Sequence, residues 1–118
     1  MAESKSTGEV VTDVRRKGDA VIATLRGEID LHNSPPVRTA LLKLLDDNKP
    51  KKLVLNLADV PYMDSSAIAV LVEALQRMRK TGGKIFLTDL QPRVKGLLEI
   101  ARLDSIFSVV PTEADALK

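Results

Sequence analysis

The first apolar positions of the chain repeat every second residue. Val10, Thr12 and Val14 alternate with Val11 and Asp13, and beyond Lys17-Gly18-Asp19 the residues Val21, Ala23 and Leu25 alternate again. Period two on both sides of a glycine-containing turn predicts a β-hairpin. Gly27-Glu28-Ile29-Asp30-Leu31-His32-Asn33 leaves the second strand, and Ser34-Pro35-Pro36 offers an N-cap hydroxyl followed by proline in the first helical turn. The helix so opened runs to about Asp47, with Val37, Leu41, Leu44 and Leu45 as its apolar stripe. Asp46 and Asp47 fall at its carboxyl end, where the helix dipole favours cations, and the pattern gives no reason for them. Lys52 to Leu57 is an almost continuous apolar run, the mark of a central strand covered on both faces.

After Met63 and Asp64 a long helix starts at Ser65, with Ile68, Leu71, Val72, Leu75 and Met78 inward and Glu73, Arg77 and Lys80 outward, closed by Gly82-Gly83 as a C-cap. A short strand over Ile85 to Thr88, a helix over Pro92 to Ala101 with Val94, Leu97, Leu98 and Ala101 on one side, a strand over Ile106 to Val110 and a helical turn within Pro111 to Leu117 complete the chain. The predicted order is β-β-α-β-α-β-α-β-α. Strands separated by helices are expected to be parallel with right-handed crossovers, and the opening hairpin adds an antiparallel edge.

Composition narrows the function without naming it. The 118 residues suffice for one core, so residues 9–118 are read as one domain behind a polar, aperiodic leader at 1–8. Eighteen Lys and Arg are interspersed with sixteen Asp and Glu, and there are only three aromatic residues, Tyr62, Phe86 and Phe107. Neither a basic stripe nor a base-stacking platform can be assembled, which argues against nucleic acid as a partner. The absence of cysteine removes disulfides, thiolate metal sites and thiol catalysis. No apolar run approaches a membrane span and no apolar signal segment occupies the first residues, so a cytoplasmic protein without membrane insertion is expected; a monomer is the expected state, although no sequence pattern sets it.

The segment Met63-Asp64-Ser65-Ser66-Ala67-Ile68 joins the end of a buried strand to the start of a helix, where function concentrates in open α/β sheets. Either Ser65 or Asp64 is competent to cap the helix, and spacing alone asks for nothing more. Ser66, Val70, Glu73 and Arg77 follow Ser65 along one side of the helix at three- and four-residue spacing, which makes them candidate docking residues. His32, the only histidine, with Asp30 and Ser65 has the residue types of a hydrolase triad, but no Gly-x-Ser-x-Gly elbow is present. His32, Asp30 and Asp64 match no metal-ligand spacing, and Gly82-Gly83 follows a helix instead of preceding one, the reverse of a phosphate-cradling turn. No cofactor or metal is called for.

From Gly27-Glu28-Ile29-Asp30 through Leu53-Val54-Leu55-Asn56-Leu57, Met63-Asp64-Ser65-Ser66 and Gly82-Gly83, the chain resembles the STAS family of anti-sigma factor antagonists, over about residues 9 to 117. The resemblance implies a mixed, mainly parallel sheet with an antiparallel amino-terminal hairpin and about four helices. It implies a non-enzymatic regulator in which the serine directly after the aspartate, Ser65, is phosphorylated. It places Glu28 and Asp30 beside that serine on a partner-binding surface with Asp64, Ser66 and Ala67, the last standing where the family usually has glycine. The partners implied are an anti-sigma factor that is also a serine kinase, bound by the unphosphorylated form so that a sigma factor is released, and a PP2C-type phosphatase that reverses the mark. STAS-like domains also serve as scaffold subunits of transporters or signalling complexes, the alternative in which binding ignores phosphate.

Overall fold

The computed structural model describes residues 10–118, so the leader expected at 1–8 lies outside the described residues. The strands are β1 (Val11–Lys17), β2 (Ala20–Arg26), β3 (Lys52–Asp59), β4 (Lys84–Thr88) and β5 (Ser108–Val110), and the helices are α1 (Ser34–Asn48), α2 (Ser65–Lys80), α3 (Pro92–Ile100) and α4 (Glu113–Ala116). This is the order read from the hydrophobic pattern. One sheet contains all five strands in the order β1-β2-β3-β4-β5, with β1 antiparallel to β2 and every later pair parallel. Because successive parallel strands are neighbours and the sheet advances in one direction, right-handed crossovers place α1, α2 and α3 on the same face.

That face holds the main core. Val21, Ala23 and Leu25 of β2, Leu53, Leu55 and Leu57 of β3, and Ile85 and Leu87 of β4 pack against Leu41 of α1, Leu71 and Leu75 of α2, and Leu98 of α3. The intervening residues point the other way. Ile22 and Val54 form a small cluster there with Ala116 of α4, and Phe86, Val110 and Leu117 pack against it. Glu113 fastens α4 to this second face: its carboxylate accepts from Asn56 Nδ2 at 2.6 Å and from Arg15 Nη2 at 2.9 and 3.0 Å.

Element boundaries moved where local chemistry differed from the pattern. Asn33, not Ser34, is the N-cap residue of α1, and Ser34 is buried as the first helical residue. The last strand begins at Ser108, two residues later than its apolar run, because 104–106 form a turn and Phe107 is buried in the core. Ala101 is exposed beyond the end of α3. The acidic tail of α1 is paired with cations: Asp46 accepts from Arg77 Nη1 of α2 at 2.7 Å, a tertiary contact, and Asp47 accepts from Lys43 Nζ one turn earlier in α1 at 2.8 Å. After α2, the Gly83 N–H donates to the Met78 carbonyl at 2.8 Å and the Gly82 N–H to the Arg79 carbonyl at 3.1 Å, with Gly82 at φ 76°. This pair is the Schellman closure that Gly82-Gly83 signals, and the left-handed residue in it is the glycine.

Candidate functional site

The site lies where β3 ends and α2 begins. Burial of Ala67, Val70, Leu71, Ala74, Leu75 and Met78 fixes where α2 lies, since each large apolar side chain withdrawn from water contributes about 1.5–3 kcal/mol. Asp64 fixes where the helix starts. Its Oδ1 accepts from the Ser66 N–H at 2.9 Å, the Ala67 N–H at 3.2 Å and the Ser66 hydroxyl at 2.6 Å. Its Oδ2 accepts from the Leu31 N–H at 3.1 Å. These donors, the Ser66 hydroxyl first, hold the Asp64 carboxyl below the usual carboxylate range, against a smaller opposing effect of burial.

The ambiguity between two caps is thereby resolved. Asp64 caps α2, and Ser65, the first helical residue, is exposed. Among the described residues no hydrogen bond engages the Ser65 hydroxyl, whereas the hydroxyl of Ser66 is committed to Asp64. Asp64 also takes up two of the N–H groups that a helix terminus offers to an anion, leaving the Ser65 N–H as the terminal donor outside its grip.

The Gly27 to Asn33 loop is sewn to this helix start by main-chain bonds. The Ile29 N–H donates to the Tyr62 carbonyl at 3.0 Å, and the Asp64 N–H donates to the Ile29 carbonyl at 3.2 Å. Asn33 holds the loop from within: its Nδ2 donates to the Glu28 carbonyl at 2.8 Å while its Oδ1 accepts from the Asp30 N–H at 2.8 Å. Glu28, exposed, and Asp30, half-buried, therefore lie on a loop that is hydrogen-bonded to the start of α2. Asp30 spends one carboxylate oxygen on the His32 N–H, at 2.9 Å. The side chain of His32 is 97% exposed and lies 3.6 Å from Asp30, and no hydrogen bond among the described residues joins it to Ser65. A triad is not assembled in this geometry.

Two of the docking candidates are corrected. Val70 is 7% exposed and Ala67 is 2% exposed, both within the main core, so neither side chain is presented to a partner. The side of α2 that carries them faces α1. For the same reason Glu73 is bound by Arg38 of α1, through bonds of 2.5 and 2.6 Å, and Arg77 reaches Asp46. The pairing with Arg38 holds the Glu73 carboxyl below its usual range. The exposed residues of the bonded loop and helix start are instead Glu28, Leu31, His32 and Ser65, with Asp64 and Ser66 half-buried. Leu31 and Asn33 were not singled out by the sequence; an asparagine directly ahead of a helix was the available signal for the second of them.

The architecture is matched by known proteins. The family model for the STAS domain aligns with residues 12–116. The chain belongs to the STAS domain family. The anti-sigma-B factor antagonist of Bacillus subtilis (strain 168) is 30% identical to this STAS domain over 97 residues, 82% of this chain and 87% of that protein. An anti-sigma factor antagonist from Mycobacterium paratuberculosis superposes with a TM-score of 0.82 at 24% identity, covering 96% of each chain. SpoIIAA, an anti-sigma factor antagonist, shares the fold in its unphosphorylated form, with a TM-score of 0.69 at 17% identity over 89% of this chain and 93% of that one. The phosphorylated form of SpoIIAA, a Bacillus cell fate determinant, superposes at 0.68 with 18% identity over 89% of this chain and 95% of that one. No helix among the described residues is long and apolar enough to cross a membrane.

Proposed function

We infer that this STAS domain is a phosphorylation-switched anti-sigma factor antagonist. Unmodified, it binds an anti-sigma factor that is also a serine kinase, and so releases a sigma factor. The kinase transfers the γ-phosphoryl group of ATP to Ser65 Oγ: the O–H bond is broken with its proton passed to a base of the kinase, the new P–O bond forms, and ADP leaves. A PP2C-type phosphatase returns the hydroxyl by hydrolysis to inorganic phosphate. The domain itself is a monomeric cytoplasmic substrate and ligand, and no catalytic role is assigned to it. One observation carries this reading: Ser65 is exposed and its hydroxyl is uncommitted among the described residues, at the rim of a site whose other polar groups, Asp64, Ser66 and Asn33, are occupied in holding the backbone.

Phosphate adds about −1.5 to −2 charges at pH 7. The helix terminus favours an anion and the ionised Asp64 opposes it, so the local effects largely offset and the fold is retained. The consequence falls on the interface. A partner pressed against this helix end must desolvate a dianion that lies beside a second negative charge, and losing a buried charged contact costs about 2–5 kcal/mol. That range corresponds to binding weakened by between about thirtyfold and several thousandfold.

The test is to incubate the domain with ATP and a candidate kinase of the histidine-kinase-like ATPase fold encoded near it, and to map the labelled peptide. Label at Ser65, binding by Ser65→Ala and loss of binding by Ser65→Asp are expected. Label confined to another residue, or equal binding by all three forms, sinks the reading.

A further inference from the structure

A groove of about 310 Å³ opens beside the Ser65 site, lined by Tyr62 and Met63 of the β3–α2 loop and by Arg93, Gly96, Leu97 and Ile100 of α3. It is at the small end of the range for ligand pockets and open along its length, which suits one or two side chains of a protein segment better than a cofactor. Three features set it apart. Ile100 is 85% exposed, an unusual position for a large aliphatic side chain beside further apolar surface. Arg93 lies over the Tyr62 ring, 5.4 Å from its centroid, and has no carboxylate partner among the described residues. Gly96 sits inside α3, where glycine is less favourable than alanine, yet a Cβ built on it meets nothing within 4 Å. The packing of this chain therefore gives no reason for glycine there, whereas a bound segment approaching the helix backbone does.

We propose that this groove is a second docking point for the protein that engages Ser65, taking an apolar side chain of that partner while an adjacent carboxylate pairs with Arg93. The assignment rests on the functional reading above. Met63, itself buried, lines the groove and is followed directly by the capping Asp64 and the exposed Ser65, so the groove and the hydroxyl are joined by one short stretch of chain. The unpaired guanidinium, already held against an aromatic face, selects an acidic segment over a basic one.

The probe is a blocked hexapeptide, acetyl-Ala-Asp-Leu-Leu-Glu-Ala-amide, titrated into the 15N-labelled full chain, with a counterpart carrying lysine at both acidic positions. The acidic peptide is expected to shift the amides of Met63, Arg93, Gly96, Leu97 and Ile100, and the lysine peptide to leave them in place. Arg93→Glu should reverse that preference. Gly96→Ala should raise the melting midpoint while weakening the acidic peptide at least fivefold, a combination that damage to the fold cannot produce. Equal shifts by both peptides, shifts elsewhere, no shifts, undiminished binding by Gly96→Ala, or occupation of the groove by a second copy of the chain in sedimentation experiments would each overturn the proposal. Phosphorylation of Ser65 is read on the same samples. Label without peptide binding refutes the groove alone; peptide binding without label refutes the Ser65 reading and, with it, the occupant named here.

Discussion

Replacing Ala67 by glycine restores the residue usual in the family at this position and tests which way the methyl group points. Ala67 is in the first turn of α2 and 2% exposed, so its methyl is core surface. Removing it forfeits about 0.8 kcal/mol of burial. The greater freedom of glycine in the unfolded chain adds about 0.5–1 kcal/mol, less so near a helix end than in its interior. Together these predict a loss of about 1–2 kcal/mol, a fall in melting midpoint of about 4–8 °C for a domain of this size. Urea denaturation followed by circular dichroism should show a lower midpoint at unchanged slope, since no surface is added to the unfolding transition. Under the proposed function, labelling of Ser65 by a candidate kinase, measured well below the melting range, should proceed at the rate of the parent protein. An unchanged midpoint combined with faster labelling would refute the reasoning, because it would put the methyl at the interface with the kinase instead of in the core.

Three further outcomes follow from the same geometry. Ser65→Asp should unfold within about 0.5 kcal/mol of the parent by chemical denaturation, as expected for an exposed substitution whose local charge effects offset, so a large loss would show that Ser65 has a structural duty. Glu113 is held below the usual carboxylate range by Asn56 first and Arg15 second, against the effect of burial. Its stabilisation is therefore complete above the ordinary glutamate range and is lost as pH falls through its depressed folded-state value; Glu113→Gln should melt earlier than the parent at pH 7, with the gap closing in acid, and a gap independent of pH would refute this. Gly83→Ala should destabilise more than Gly82→Ala in melting experiments, since a Cβ at 83 would stand 2.6 Å from Met78 Cε and 3.1 Å from the Lys51 carbonyl oxygen, whereas one at 82 meets only the strain of its positive φ.

The sequence disclosed periodicity well and relative placement poorly. The order of elements, the edge hairpin and the central position of β3 followed from alternation, turn residues and an unbroken apolar run, all of which are local signals. Ser66, Val70, Glu73 and Arg77 do share one side of α2, as their spacing requires. What spacing does not contain is the direction from which α1 approaches, and that direction turns Val70 inward and converts Glu73 and Arg77 into partners of Arg38 and Asp46. The same contact accounts for Asp46 at a helix end where the dipole alone would exclude it. Ser65 is singled out by resemblance; that Asp64 and not Ser65 carries the cap needed coordinates, because both side chains are chemically competent and only the observed backbone decides between them. The Asn33 brace was invisible for a related reason: its two bonds close a loop whose path the sequence does not specify.

The two oxygens of Asp64 serve different masters, one gripping the first turn of a helix and the other a neighbouring loop 33 positions earlier in the chain. This makes the residue hard to replace. Asparagine keeps one acceptor but turns an amide nitrogen towards the Leu31 N–H, donor against donor, or else towards the helix. Glutamate keeps both acceptors on a stem one methylene too long for the turn. An aspartate at this point is thus demanded by geometry alone, and the exposed hydroxyl next to it inherits a fixed address.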